Sequence, residues 1–161
     1  MNPTLLAGLL LGVLVSAWTF LMGITGWYRD PARLALFWVV IPIQIGVLLW
    51  GLRKTAPQAG YGRQVLHGVA MSVLGSLIIF GGSLLFTTIV FPSYFKELEA
   101  LGRLKMAQEG LSPARIEELI RLQAPWQKPL PTAFAGVFGT WVTGLVTSLL
   151  AAIWLRRKAL R

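Results

Sequence analysis

The stretch that decides the fold is VLHGVAMSVLGSLIIFGGSLLFTTIVF, from Val65 to Phe91. It contains no Asp, Glu, Lys or Arg, and His67 near its start is its one ionisable residue. A helix rises about 1.5 Å per residue, so this run reaches roughly 40 Å, more than the ~30 Å hydrocarbon core of a bilayer. Because lipid offers backbone amides no partner, the stretch must satisfy them internally. The sequence therefore predicts a membrane-spanning helix.

Three further apolar stretches predict three more spans, at about residues 5–27, 34–52 and 132–155. Pro42 lies inside the second of these and predicts a kink, because it removes a backbone donor. Gln44 is the most polar side chain within any predicted span. We expect it to form an interhelical hydrogen bond near the kink, and a place in a pore or ligand site is the alternative.

The composition agrees with a membrane class. The chain has 161 residues, of which 55% are hydrophobic and 13% charged, whereas soluble domains carry about 25% charged residues. This length suits one membrane domain over residues 1–161. Cysteine is absent, which excludes disulfides, thiolate metal sites and a cysteine nucleophile.

Residues 92–131 differ from the rest in composition, being rich in charge. They predict a helical hairpin outside the hydrocarbon, whose first helix stops near Gly110 and whose second has Ser112 as N-cap and Pro113 at its first position. The fold class is therefore an all-α integral membrane protein with four transmembrane helices and an extramembrane helical hairpin between the third and fourth.

Charged pairs are expected on the hairpin. Glu99 with Arg103, and Glu117 with Arg121, have the i,i+4 spacing that places opposite charges on one helix face. Apolar residues share other faces, and the hairpin either folds on itself or lies on the bilayer surface. We expect its aromatic residues to form a partner surface. The residues named for it are Tyr94, Phe95 and Trp126.

Small residues recur at helical spacing in the first, third and fourth spans. Lipid tails are as apolar as leucine, so helices associate in a bilayer through close backbone packing, which small residues permit. The residues expected to pack helices together are Gly8, Gly12, Gly68, Gly75, Gly82, Gly136, Thr140, Gly144 and Ser148.

The net charge is +9, and its placement predicts orientation. Four spans put both termini on one side, together with the short basic loop 53–63. Basic residues dense at span ends favour the cytoplasm, so the termini are expected there and the hairpin in the periplasm or exterior. These residues should bind anionic phospholipid and not nucleic acid: Arg53, Lys54, Arg63, Arg156, Arg157 and Lys158.

Taken in order, the chain resembles a bacterial family of small four-span membrane proteins catalogued as domain of unknown function 4199. The resemblance rests on GYGRQVLHG at 60–68, FPSYFKE at 91–97, GLSPARIEE at 110–118 and GLVTSL at 144–149. It covers nearly the whole chain and implies the four-span topology in a bacterial inner membrane. It implies no activity, because the family has no established catalytic residues.

Three functions are compatible with these features. We favour a non-catalytic accessory or structural subunit of a membrane complex, or a homo-oligomer, because small-residue faces offer much contact surface. The alternative is a small transporter or channel, although the predicted spans lack the charged groups usual in such proteins. A lipid-interacting membrane enzyme ranks third. Acid–base chemistry needs a His, Asp or Glu, and the predicted spans contain no carboxylate.

His67 is the single histidine in the chain. It would become a cofactor ligand only if a haem or pigment were present, and we expect instead an interfacial side chain with one hydrogen bond. We predict no cofactor, no metal and no catalytic residue. Bound phospholipid is the one ligand that we expect.

Overall fold

The computed structural model describes residues 2–30, 32–56 and 60–159, and side chains as far as residue 155. Within that part the chain is helical and contains no strand. The α-helices are α1 (Pro3–Ile24), α2 (Val40–Thr55), α3 (Tyr61–Leu85), α4 (Tyr94–Gln108), α5 (Pro113–Gln123) and α6 (Pro129–Ala159). Short 3-10 segments at Trp27–Arg29 and Leu34–Val39 connect α1 to α2, and a π-helical turn at Phe86–Val90 extends α3.

Four helical stretches are long and apolar enough to cross a membrane. They are Pro3–Ile24, Leu34–Thr55, Tyr61–Val90 and Pro129–Leu155, and we call them the span helices. Each overlaps one predicted span. The first ends three residues earlier than predicted, because Gly26 adopts a left-handed backbone with φ of 68° that a helix cannot continue through.

The span helices form a bundle in which α3 makes its most extensive contacts with α6 and α1. The helices α1 and α3 run parallel: Gly8 lies against Met71 and Leu74, and Ser16 lies against Gly82. The other pair, α2 and α6, also contact each other.

Two small-residue pairs bring α3 and α6 together reciprocally. A Cβ added at Gly68 would collide with Ser148, and one added at Gly144 would collide with Ser72. Rising numbers on α3 thus meet falling numbers on α6, so the two helices are antiparallel. The Ser72 hydroxyl donates to the Gly68 carbonyl at 3.0 Å, and Ser148 likewise donates to Gly144. Both serines are therefore satisfied within their own helices while filling the space above a glycine.

Every glycine named for packing lies against another span helix, although the closeness varies. A Cβ at Gly12 would lie 2.6 Å from that of Ile78, and one at Gly75 would lie 2.5 Å from Leu11 Cδ2. At Gly136 the nearest atom would be Ile79 Cγ2 at 3.5 Å, an ordinary contact. The α3–α6 approach is therefore much closer at the Gly144 level than at the Gly136 level.

The chain changes helix type just before Pro42, where the sequence predicts a kink. Leu34–Val39 is 3-10 and the α-helix begins at Val40, so Pro42 lies in the first turn of α2. Proline has no N–H to donate to the carbonyls of the 3-10 segment that precedes it, and the change of helix type lies at that point.

The helices α4 and α5 are joined as the sequence predicts locally. Gly110 has a left-handed φ of 81°, and the Ser112 side chain caps α5 by accepting from the Arg115 N–H. The predicted pair Glu99–Arg103 is present at 3.0 Å. Glu117, however, pairs with Arg103 at 2.7 Å and not with Arg121, because α4 and α5 pack side by side.

Substitution at the closest α3–α6 contact should destabilise the bundle. Leucine at Gly144 would have to displace Ser72 and the α3 backbone behind it, and overpacking of this kind costs about 1–3 kcal/mol. We expect Gly144→Leu to lower the thermal unfolding temperature of the detergent-solubilised protein, measured by loss of its monodisperse chromatographic peak.

Gly139→Leu is the matched control on the same helix, because a Cβ at Gly139 has no atom within 4 Å. It should unfold at the wild-type temperature. Equal unfolding temperatures for Gly144→Leu and Gly139→Leu would show that the Gly144–Ser72 contact contributes nothing to stability.

Candidate functional site: a cavity between the span helices

A cavity of about 540 Å³ lies among the four span helices. This is within the usual size range of small-molecule sites, roughly 300–1,000 Å³. Its wall combines apolar side chains with serine, threonine and glutamine from α1, α2, α3 and α6, and no Asp, Glu, Lys, Arg or His of the described residues lines it. The chemistry of the wall is therefore that of an uncharged, mainly apolar ligand with a few hydrogen-bonding groups.

The cavity opens on one side. Three lining residues are exposed: Trp38, just before α2, and Ala135 and Gly139 on α6. The helices α2 and α6 are neighbours, so these residues mark a gap between them. The opening thus faces sideways out of the bundle.

Gln44 provides the most deeply buried polar group of the wall, with 5% of its surface exposed. Its Nε2 lies 3.4 Å from Thr140 Oγ1, a long hydrogen bond between α2 and α6. Thr140 already donates its proton to the Gly136 carbonyl at 2.8 Å, so it can only accept from Gln44. The amide nitrogen must therefore face Thr140, which leaves Oε1 without a protein partner.

Ser16 on α1 supplies a second orphan group. Its Oγ is buried without a hydrogen-bond partner, and Ser16 also lines the cavity. Other hydroxyls of the wall are occupied locally: Thr19 donates to Val15 at 3.1 Å and Thr87 to Ser83 at 2.8 Å. An unpaired buried polar group costs roughly 1–3 kcal/mol, so Ser16 and Gln44 favour a hydrogen-bonding occupant.

Aromatic side chains close the cavity at the end nearest α4. Phe86 and Tyr94 line it, with their ring centroids 5.2 Å apart. The Tyr28 ring lies tilted against that of Tyr94, with centroids 5.1 Å apart, and Tyr28 is only 1% exposed. Burial first, and the nearby Tyr28 second, raise the pKa of Tyr94 to about 12. The closing wall is thus an uncharged aromatic layer at ordinary pH.

An ionic clamp ties this layer to the loop after α1. Arg29 Nε donates to Glu97 Oε2 at 2.7 Å, and Tyr28 Oη donates to the same oxygen at 2.6 Å. Ser93 donates to Glu97 Oε1 at 2.7 Å. These bonds, that from Arg29 above all, lower the pKa of Glu97 to about 2. Burial first, and then the bond to Glu97, raise the pKa of Tyr28.

The sequence does not reveal this clamp. Tyr28 and Arg29 are separated from Glu97 by almost seventy residues, and no local pattern links them. Ser16 was visible as a small residue of α1, but nothing in its spacing distinguishes a buried orphan hydroxyl from an ordinary packing residue.

The predicted partner surface needs one correction. Tyr94 is 9% exposed and belongs to the aromatic cluster with Tyr28 and Phe86, so it is an interior residue and not part of a surface. Phe95 is half-buried against that cluster. Trp126 is 74% exposed. The aromatic pattern of 94–95 thus reflects packing of α4 onto the bundle end.

His67 lies at the other end of the bundle, half-buried. Its Nδ1 is 3.0 Å from Thr4 Oγ1 on α1, which is the single hydrogen bond expected of it. Arg53 lies over the Trp154 ring at 5.5 Å, and Lys54 and Arg63 are exposed. The side chains of Arg156, Arg157 and Lys158 lie outside the described part. Among described residues no group of three or more His, Cys, Asp or Glu could hold a metal ion.

The Glu97 clamp predicts a pH dependence. Its folded pKa is lowered to about 2 from an ordinary value of 4.5, so its stabilisation is complete above about pH 4.5 and is lost as pH falls toward 2. We expect the unfolding temperature to drop over this range and Glu97→Gln to remove part of that drop. The measurement is thermal unfolding in detergent at several pH values, and an identical drop in wild type and variant would contradict it.

Comparison with known proteins gives a family and no activity. No curated protein and no solved structure matches the chain. The family model described as "Protein of unknown function (DUF4199)" matches residues 6–157, which confirms the resemblance of the sequence motifs. The chain therefore belongs to the family DUF4199.

Proposed function

We propose that the protein is a non-catalytic integral membrane protein that acts as an accessory component of a membrane assembly. The observation that carries this is exposed apolar surface outside the span helices. Leu104 on α4, Leu122 on α5 and Trp126 after it are 61%, 64% and 74% exposed. Apolar surface outside the hydrocarbon is stabilised when a partner covers it.

The charge on α4 and α5 favours a protein partner over the bilayer surface. Helices that lie on a membrane present lysine and arginine to anionic lipid. Here Arg103, Lys105 and Arg115 each lie within 4.0 Å of a glutamate of the same two-helix unit. These side chains are already paired, so the unit resembles a folded, water-facing module.

Two hydrogen bonds between span helices use polar side chains for packing, which supports the non-catalytic assignment. Gln64 donates to the Leu52 carbonyl, linking α3 to α2, and Trp141 Nε1 donates to Ser76 Oγ at 2.9 Å, linking α6 to α3. Groups engaged in interhelical bonds stabilise a bundle, and they are not poised for proton transfer.

A transporter or channel is the second candidate, and the cavity is the observation that favours it. It stays second because ion and proton pathways use charged groups at membrane depth, and no described Asp, Glu, Lys, Arg or His lines the cavity. A lipid-interacting enzyme has no described acid or base in the cavity wall to support it.

We propose the orientation with both termini in the bacterial cytoplasm, and α4 and α5 as a hairpin in the periplasm or exterior. The exposed Arg53, Lys54 and Arg63 support it, because basic residues at span ends favour the cytoplasmic leaflet and its anionic headgroups.

Because the natural chain lacks cysteine, single-cysteine variants can test this orientation. Ala100 on α4 is exposed, and Gly62 at the start of α3 has open space around it. We expect a membrane-impermeant maleimide to label Ala100→Cys in intact cells and Gly62→Cys only after permeabilisation. The reverse pattern would invert the proposed topology.

The accessory role predicts a partner at Trp126. A photoactivatable crosslinker at a Trp126→Cys variant should give one reproducible protein adduct in native membranes. The same crosslinker at Phe138→Cys, which is exposed on α6 within a span at 68%, should give lipid adducts only.

The partner captured in the adduct should also co-purify with the uncrosslinked chain after gentle polymer extraction. If Trp126→Cys yields only self-adducts or none, and the chain is recovered alone with lipid, the accessory assignment is wrong.

The particles obtained by polymer extraction also test headgroup binding. A variant in which the six basic residues are neutralised should carry less anionic lipid, and an unchanged lipid content would contradict the prediction. These residues are Arg53, Lys54, Arg63, Arg156, Arg157 and Lys158.

A further inference from the structure

We propose that the cavity between α2 and α6 binds an uncharged, hydrocarbon-rich molecule bearing a hydroxyl group, which enters sideways from the bilayer. This goes beyond an accessory role, because it assigns a ligand class to a site within the span helices. It does not depend on a partner at α4 and α5.

The charge and size of the cavity limit the ligand first. A volume of about 540 Å³ holds one small molecule or one lipid chain, and most of the wall is apolar. A charged group placed there would have no counter-charge among the lining residues, and an isolated buried charge is strongly disfavoured. The bound part of the ligand is therefore neutral.

The orphan amide oxygen then sets the polarity of the ligand. Thr140 can only accept, so Gln44 directs Nε2 toward it and keeps Oε1 free. A carbonyl oxygen can only accept, so its occupant must donate a proton. A hydroxyl meets this requirement, whereas an ester, ether or quinone oxygen would leave Gln44 Oε1 unsatisfied.

Ser16 fits the same occupant. Its Oγ is the other buried group without a partner in the described part of the chain, and a serine hydroxyl both donates and accepts. A ligand hydroxyl can donate to Gln44 Oε1 or to Ser16 Oγ, and it can accept from Ser16. A small polar group on an otherwise apolar molecule is what these two side chains would select.

The opening gives the direction of entry. Of the exposed lining residues, Trp38 lies in the 3-10 segment just before α2, and Ala135 and Gly139 lie on α6. All three fall within stretches long enough to span a membrane. Such a gap faces lipid and not water. In hydrocarbon a hydroxyl has no hydrogen-bond partner, so the pair of orphan groups would draw it into the bundle.

Photolabelling of the purified full chain in phosphatidylcholine nanodiscs tests the proposal. The probes are a long-chain alcohol carrying a diazirine and its methyl ether with the same chain. At a sub-saturating concentration we expect the alcohol to label peptides of α2 and α6 about fivefold more than the ether, as the loss of one buried hydrogen bond predicts. Gln44→Met, which keeps the size of the side chain, should reduce alcohol labelling to the level of the ether.

Two leucine substitutions separate the cavity from the surrounding lipid. Gly139→Leu places a side chain in the opening, and its Cβ would have no atom within 4 Å, so we expect the fold to be kept. It should reduce labelling by both probes to background. Gly81→Leu adds the same side chain to an equally open position of α3 that does not line the cavity, and it should label like the wild type.

Either of two results would overturn the proposal. Equal labelling by alcohol and ether in the wild type would mean that water, and not a ligand hydroxyl, satisfies Gln44 and Ser16. Labelling that persists in Gly139→Leu would place the probe in bulk lipid outside the cavity. Both readings hold even if Gln44→Met fails to fold, because neither uses that variant.

Discussion

The close approach of α3 to α6 is the constraint on which the rest of the structure depends. Gly68 and Gly144 each face a serine of the opposite helix, and a single added carbon at either would collide with it. Between two helices in lipid no hydrophobic force drives association, so van der Waals contact over small residues must supply it. With α3 held against α6 on one side and α1 on the other, α2 takes the remaining place in the bundle.

The same series of small residues explains the cavity. Near Gly144 the helices touch, but a Cβ at Gly136 would meet one atom at 3.5 Å and one at Gly139 would meet none. Small side chains permit close packing only while the backbones converge, and they leave empty space once the backbones separate. The cavity lies at that level of α6, where Gln44 on α2 reaches toward Thr140 without filling the gap.

At the end of the bundle nearest α4, aromatic and charged residues close the cavity that the small residues leave between the helices. Phe86 and Tyr94 form part of the cavity wall, and Glu97 holds α4 in place through Arg29 and Tyr28. Tyr94 and Glu97 lie three residues apart and act differently. The Tyr94 ring lines the cavity, whereas the Glu97 carboxylate binds Arg29 and Tyr28 nearer the surface. This clamp positions α4 and, through Arg103 and Glu117, α5.

The sequence by itself determined the helical class, the four apolar stretches, the cap at Ser112 and the glycines available for packing, because these follow from local composition and periodicity. The pairing partners were decided by tertiary structure. Glu117 is expected to bind Arg121 on its own helix and binds Arg103 instead, since the adjacent helix α4 brings that guanidinium to 2.7 Å. Tyr94 was expected at the surface and is buried. The orphan oxygens of Ser16 and Gln44 likewise depend on where neighbouring helices stop touching, a distance that no spacing along the chain encodes.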